Sequence, residues 1–204
     1  MLLAPPLCWS CRGPAGRGAA LCASCRGRLR FAAGTATVGP SGLRVYAALS
    51  YEGPARDLIH ALKFRGAAGL ADTMAAFMVA AAPAGLLDAG CRLVPVPLHP
   101  RRRRRRGFNQ AELLASALAT RTDLAVSDCL ARGGADVRQV GRGRGARLDS
   151  LAGSIAVRSG VPGRSVLVDD VVTTGSTIAE CARVLRAAGA AELGAIVFAR
   201  TPGR

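Results

Sequence analysis

The segment Val166–Thr177 sets two acids and a hydroxyl-rich turn in an order that suits a phosphorylated sugar. Val166-Leu167-Val168 leads into Asp169-Asp170, then Val171-Val172, then Thr173-Thr174-Gly175-Ser176-Thr177. An apolar strand would deliver the two carboxylates at its C-terminal end, where open α/β sheets bind ligands. Carboxylates there can accept hydrogen bonds from ribose hydroxyls. The backbone N–H groups and hydroxyls of the turn can surround a phosphate, and a following helix adds the positive end of its dipole. Gly175 permits positive φ or close approach to a ligand. The run contains no lysine, so it is not a Walker loop. The plainer alternative, a strand-turn-helix with a satisfied acid pair and ordinary capping, would suit a shorter match.

A second constellation is Cys8-x-x-Cys11, ten residues, then Cys22-x-x-Cys25. Each turn points two thiolates at one ion, and two turns complete a tetrahedral shell that suits structural Zn²⁺ and leaves no position open for substrate. So small a segment needs the metal to fold. The competing reading is two independent redox or incidental pairs. Cys91, Cys129 and Cys181 have no partner in sequence and are expected to be small core residues.

The third is the run Arg101–Arg106, placed between His99-Pro100 and Gly107. Three readings stand: a solvated, self-repelling loop, guanidinium groups that stabilise departing pyrophosphate, or contact with a nucleic-acid backbone. No aromatic residue lies within the run, so nothing there supports base stacking. Arg106, nearest the next helix, is the candidate functional arginine. His60 is expected to be a packing or surface residue, and His99 lies near the arginine loop without an assigned acid–base role.

Periodicity supplies the elements that must position these groups. Leu43–Tyr51, Cys91–Val96, Ser165–Val168 and Leu193–Ala199 read as strands. Pro54–Arg65, with an apolar stripe of Ala55, Leu58, Ile59 and Leu62, reads as a helix ended by Gly66. Further helices are expected over Leu70–Ala81, Phe108–Thr120 (capped by Asn109) and Thr177–Ala188, the last with a Thr177–Glu180 capping box. Gly34–Gly42 reads as a linker and Arg132–Arg147 as a mobile loop. The division expected is a metal module over 1–35 and an α/β domain over 43–204, with a mostly parallel sheet flanked by helices.

The chain has 204 residues and a net charge of +15, and removing the six-arginine run still leaves +9. Such a balance favours phosphates, pyrophosphate or nucleic acid as partners. Lys63 is the only lysine. No apolar stretch is long enough to span a bilayer. Met1–Leu7 is short, lacks basic residues and contains Pro5 and Pro6, so it is not read as a signal peptide. The expected compartment is the cytoplasm, where reduced thiols bind metal.

Val166–Thr177 resembles the binding motif for 5-phosphoribosyl-1-pyrophosphate (PRPP) of type I phosphoribosyltransferases. Almost the whole chain resembles the ComF/GntX family of competence-associated proteins. The marks are the cysteine pairs, Tyr51-x-Gly53, Ile59-His60-Ala61-Leu62-Lys63-Phe64-Arg65-Gly66, Val94-Pro95-Val96-Pro97 and Arg106-Gly107-Phe108-Asn109-Gln110. The resemblance implies that Asp169 and Asp170 bind the ribose hydroxyls. It implies that Val171, Val172, Thr173, Thr174, Gly175, Ser176 and Thr177 form the PRPP loop, and that the loop after Val96 faces pyrophosphate bridged by Mg²⁺. The family's Arg-x-x-Asn element is replaced here by Arg147-Leu148-Asp149-Ser150, and Gly153-Ser154-Ile155 stands in place of its Gly-Ala-Phe-like strand.

Three functions are expected on these grounds. The chain transfers phosphoribose from PRPP with release of pyrophosphate, as Asp169, Asp170 and Arg106 would allow. Alternatively it is a non-catalytic factor for DNA uptake, acting on single-stranded DNA with a helicase partner. A regulator that binds PRPP or a nucleotide and contacts DNA ranks last, because no DNA-reading motif is present.

Overall fold

A computed structural model describes residues 6–32, 35–38, 42–133 and 154–202. Its strands are β1 (Thr35–Val38), β2 (Leu43–Ser50), β3 (Arg92–Pro95), β4 (Ala125–Val126), β5 (Leu130–Arg132), β6 (Ile155–Val157), β7 (Arg164–Val172) and β8 (Glu192–Arg200). Its helices are α1 (Ala23–Gly27), α2 (Gly53–Phe64), α3 (Leu70–Ala81), α4 (Pro100–Arg106), α5 (Gln110–Thr122) and α6 (Ser176–Ala187). The main sheet has six strands in the order β1-β2-β8-β7-β3-β4. Every neighbouring pair is parallel except β1 with β2. An antiparallel pair, β5 with β6, stands apart.

Side chains alternate across β7 as a strand requires. Val166 and Val168 enter one apolar layer with Ile196, Phe198 and the buried stripes of α2, α3 and α5. Leu167 enters the other, with Ala195, Val197, α6 and the β5–β6 pair. A continuous Val/Leu run is therefore explained by burial on both faces. The α2 stripe holds as expected, with Leu58, Ile59 and Leu62 fully buried. Each such side chain contributes about 1.5–3 kcal/mol through burial. Cys91, Cys129 and Cys181 are buried as small core residues. Among the described residues no helix is long and apolar enough to cross a membrane.

Four local expectations change. The stretch read as a linker contributes β1, whose Thr35-Ala36-Thr37-Val38 pairs with β2, since β-branched residues suit an edge strand. The arginine run, for which a loop was one reading, is helix α4. His99 Nδ1 accepts from the Arg101 N–H at 3.2 Å, Pro100 occupies the first turn, and Gly107 closes the helix at φ 84°. The strand read as Ser165–Val168 extends to Val172 because β8 continues to pair with it, so both acids lie within the strand. The helix after the turn starts at Ser176, with Gly175 as N-cap and no side-chain cap bond, so the expected Thr177–Glu180 box does not form. Glu180 instead pairs with Arg183 at 2.8 Å. Of the expected mobile loop Arg132–Arg147, residues 134–147 fall outside the described residues, as do 148–150 and Gly153 of the altered family element, while Arg132 ends β5.

Candidate functional site

Strand β7 lies between β8 and β3, and its C-terminal end presents Asp169 and Asp170. The two carboxylates meet different surroundings. Asp170 is 1% exposed. Its Oδ2 lies 2.5 Å from Lys63 Nζ at the end of α2. Its Oδ1 accepts from Gln110 Nε2 at 3.0 Å, at the start of α5. A buried carboxylate costs several kcal/mol unless paired in this way. Asp169 is half-buried on the other side, and its Oδ1 accepts the Asp170 N–H at 2.8 Å. Burial, and then the neighbouring charge of Asp170, push the Asp169 carboxyl well above the ordinary range.

The motif Arg106-Gly107-Phe108-Asn109-Gln110 now has a physical reading. Arg106 donates from NH1 to Gln110 Oε1. Gly107 permits the left-handed turn between α4 and α5. Asn109 caps α5, its Oδ1 accepting the Ala111 N–H at 3.1 Å, while its Nδ2 donates to the Val96 carbonyl at 3.0 Å. That second bond ties the loop after β3 to the helix. The result is a chain of contacts from Arg106 through Gln110 to Asp170. Burial, with Arg102 and Arg105 adding to it, lowers the Arg106 guanidinium pKa against the opposing pull of Asp170.

Arg106 also places its Cζ 5.3 Å from the centre of the Phe64 ring, and His60 lies 5.7 Å from the same ring. The remaining arginines of α4 are exposed, and of these Arg103 bonds Glu112 at 2.5 and 3.1 Å. On the opposite layer, Arg132 carries a buried Nε without a hydrogen-bond partner. Burial lowers its pKa, and Asp169 pulls the other way.

Beyond the acids, Thr173, Thr174 and Ser176 are exposed at the turn, and the Thr174 and Ser176 hydroxyls lie 3.0 Å apart. Gly175 has φ 74°, and a Cβ there would stand 2.8 Å from Val38 Cβ. Gly175 offers no side-chain cap and Ser176 N–H makes only a long bond of 3.5 Å to Thr174 Oγ1, so the N-terminus of α6 faces this turn with N–H donors for an anion. A cavity of about 290 Å³ adjoins it, lined by Val38, Val172, Thr173, Thr174, Arg200 and Thr201. A larger one of about 510 Å³ lies at the opposite strand ends, beside Arg44, Arg164 and Gly194, and is lined by neither of the acids nor any residue of the turn.

The four N-terminal cysteines do come together. Their Sγ atoms all lie within 4.8 Å of one another, and Cys11 and Cys22 are 3.7 Å apart. Tetrahedral thiolates around zinc would be spaced about 3.8 Å apart, so the cluster fits a structural metal ion. Burial would raise the Cys8 thiol. Backbone N–H groups of Cys22, Cys11 and Ser10 outweigh it and bring Cys8 down to about 6, which favours the thiolate a metal needs.

Of the residues expected from sequence, Asp169 and Asp170 lie at the end of β7 beside the turn, Arg106 reaches Asp170 through Gln110, and the four cysteines gather separately. The sequence reading missed Lys63, Gln110 and Phe64 as parts of one site, although all three stand inside the motifs already singled out. It also missed Arg132, which no motif marks.

Residues 105–204 match the phosphoribosyl transferase domain family. The chain is 32% identical to the "DNA utilization protein YhgH" of Salmonella typhi, over 98% of this chain and 100% of that one. It is 40% identical to "Competence protein F" of Haemophilus influenzae over 50% of this chain and 46% of that one. An orotate phosphoribosyltransferase structure from Aeropyrum pernix aligns over 84% of this chain and 75% of its own, at 22% identity and a TM-score of 0.35.

Proposed function

Since the chain belongs to the ComF/GntX family and has the type I phosphoribosyltransferase fold, we propose that it binds PRPP at the end of β7 and transfers its phosphoribosyl group with release of pyrophosphate. The observation that supports this most directly is the pairing of Asp169 and Asp170 at a central strand end with an exposed, glycine-capped turn beside it. Asp169 and Asp170 would hold the ribose hydroxyls, Asp170 by exchanging its bonds to Lys63 or Gln110 for one to the sugar. Val171 and Val172 lead into the turn, where Thr173, Thr174, Gly175, Ser176 and Thr177 would hold the 5-phosphate with the N-terminus of α6. Arg106 and the exposed arginines of α4 would take the charge of the departing pyrophosphate.

In the reaction the anomeric C–O bond to pyrophosphate breaks, a nitrogen nucleophile forms the new bond, and pyrophosphate leaves with the electron pair. The transition state is oxocarbenium-like, so the protein's contribution is positioning and charge stabilisation. The hard oxygen donors of the acids fit Mg²⁺ carried in with PRPP, which would neutralise pyrophosphate charge. The four-cysteine cluster would hold Zn²⁺ in a structural role.

A second reading rests on a specific feature, the exposed arginines of α4. These suit a phosphate backbone, and relatives carry names that refer to DNA utilization and competence. In that role the chain would contact single-stranded DNA alongside a helicase.

Calorimetry with PRPP and Mg²⁺ on the wild type and on Asp169→Asn/Asp170→Asn tests the first reading. Binding by the wild type, lost in the variant, with pyrophosphate release in the presence of a nitrogen acceptor, is the expected result. Absence of wild-type PRPP binding sinks it. Single-strand binding that weakens with salt and persists in the variant would instead mark the accessory role.

A further inference from the structure

Phe64 ends α2 with 60% of its surface exposed, although its chain neighbour Lys63 reaches the buried Asp170. A single exposed apolar side chain is ordinary. The setting of this one is not. The Arg106 guanidinium lies over the ring at 5.3 Å, and the His60 ring tilts against it at 56°. Phe31 is more exposed, but among the described residues no ring or guanidinium contact is recorded for it. Two planar groups therefore contact the Phe64 ring, which reduces the rotamer freedom left to lose when something stacks on its exposed face.

The ring is joined to the sugar-binding acid by two routes. One runs through the backbone to Lys63 and across its ion pair to Asp170. The other runs through Arg106 and Gln110 to the same carboxylate. A ligand ring on Phe64 would lie beside the Arg106 guanidinium, which favours carbonyl or carboxylate oxygens on its edge.

We propose that the exposed face of Phe64, a ring in contact with His60 and Arg106, is a stacking platform for a planar, oxygen-bearing nitrogen heterocycle of the nucleobase type. If the preceding reading holds, that heterocycle is the acceptor, and this part of the inference rests on it. The ring itself can arrive free or as a base within a single strand.

The test uses the full chain with three probes: uracil, adenine and a fluorescein-labelled dT12 oligonucleotide. Calorimetry follows the free bases and anisotropy follows the strand. Phe64→Leu keeps apolar bulk without a π face, and Phe64→Trp enlarges the face. Wild type is expected to bind at least one probe. Phe64→Leu should weaken that binding by about 5- to 150-fold, the span of base–aromatic stacking, and Phe64→Trp should preserve it. Thermal midpoints equal to wild type establish that both variants fold. Uptake of a free base without dT12 identifies a small-molecule ring, and the reverse identifies a strand. Probe binding that is unchanged in Phe64→Leu, or absent from the wild type, overturns the platform. A parallel PRPP titration of the wild type judges the phosphoribosyl reading separately, because stacking on Phe64 can succeed where PRPP binding fails.

Discussion

Asp169 and Asp170 are adjacent and chemically identical, yet the fold treats them differently. Asp170 has both oxygens engaged, by Lys63 and Gln110. Asp169 is held by a backbone N–H and pressed by its neighbour's charge, so it keeps its proton more tightly in the folded protein than in the unfolded chain. The folded state then binds more protons, and stability falls as pH rises from the ordinary carboxylate value of 3.8 through the higher folded one. Asp169→Asn removes that cost while keeping an oxygen for the Asp170 N–H. The variant should therefore gain about 1 kcal/mol at neutral pH, as relief of a strained functional site commonly gives. The gain should vanish in acid below the carboxylate range. Urea unfolding across pH checks it, and parallel pH slopes for the two proteins would refute the assignment. At this scale the sequence was readable where partners are local. It was opaque where they are remote, as for Gln110 and Asp170, 60 residues apart. Helical and strand periodicity register neighbours within a turn or a pleat, and long-range pairs leave no such mark.

Helix α4 shows how an element can overrule its own charge. Six consecutive arginines repel, which favours an open loop. Here His99 caps the start, Pro100 presets the first turn, Gly107 closes the end, and Glu112 draws in Arg103. Arginine is itself a good helix former, so modest capping suffices. Gly175 is the corresponding hinge for α6. Its left-handed φ and its proximity to Val38 leave no room for a side chain. Gly175→Ala should cost about 1–3 kcal/mol, the range for an ordinary residue forced into such a conformation. A denaturant midpoint indistinguishable from wild type would contradict it. The element order of the α/β region was legible from periodicity. The short pieces, β4, β5 and β6, were not, because two or three residues cannot display a period.

Across the whole molecule, the cysteine module is part of the main packing. Cys8, Leu21, Cys25 and Leu29 share an apolar layer with α2 and α3, and Ser10 Oγ donates to Asp57 on α2 at 2.6 Å. The same helix ends in Lys63 and Phe64. Metal removal should therefore be felt at a distance. Treatment with a strong chelator, or Cys22→Ser, is expected to lower the thermal midpoint by several degrees, because metal binding and folding of so small a module are one equilibrium. Elemental analysis should find about one zinc per untreated chain, and a melt unchanged after verified metal loss would remove the structural role.

The opposed orientation of the two acids on β7 has one more consequence. The helices α2 and α3 pack on the face of β7 that carries Asp170, while α6 and the β5–β6 pair pack on the face that carries Asp169. A single strand thus separates two halves that meet at its end, where Asp169 Oδ1 accepts the Asp170 N–H. Natural drift on one flank can retune what is recognised there while the opposite flank keeps its job, since perturbations without shared partners combine additively.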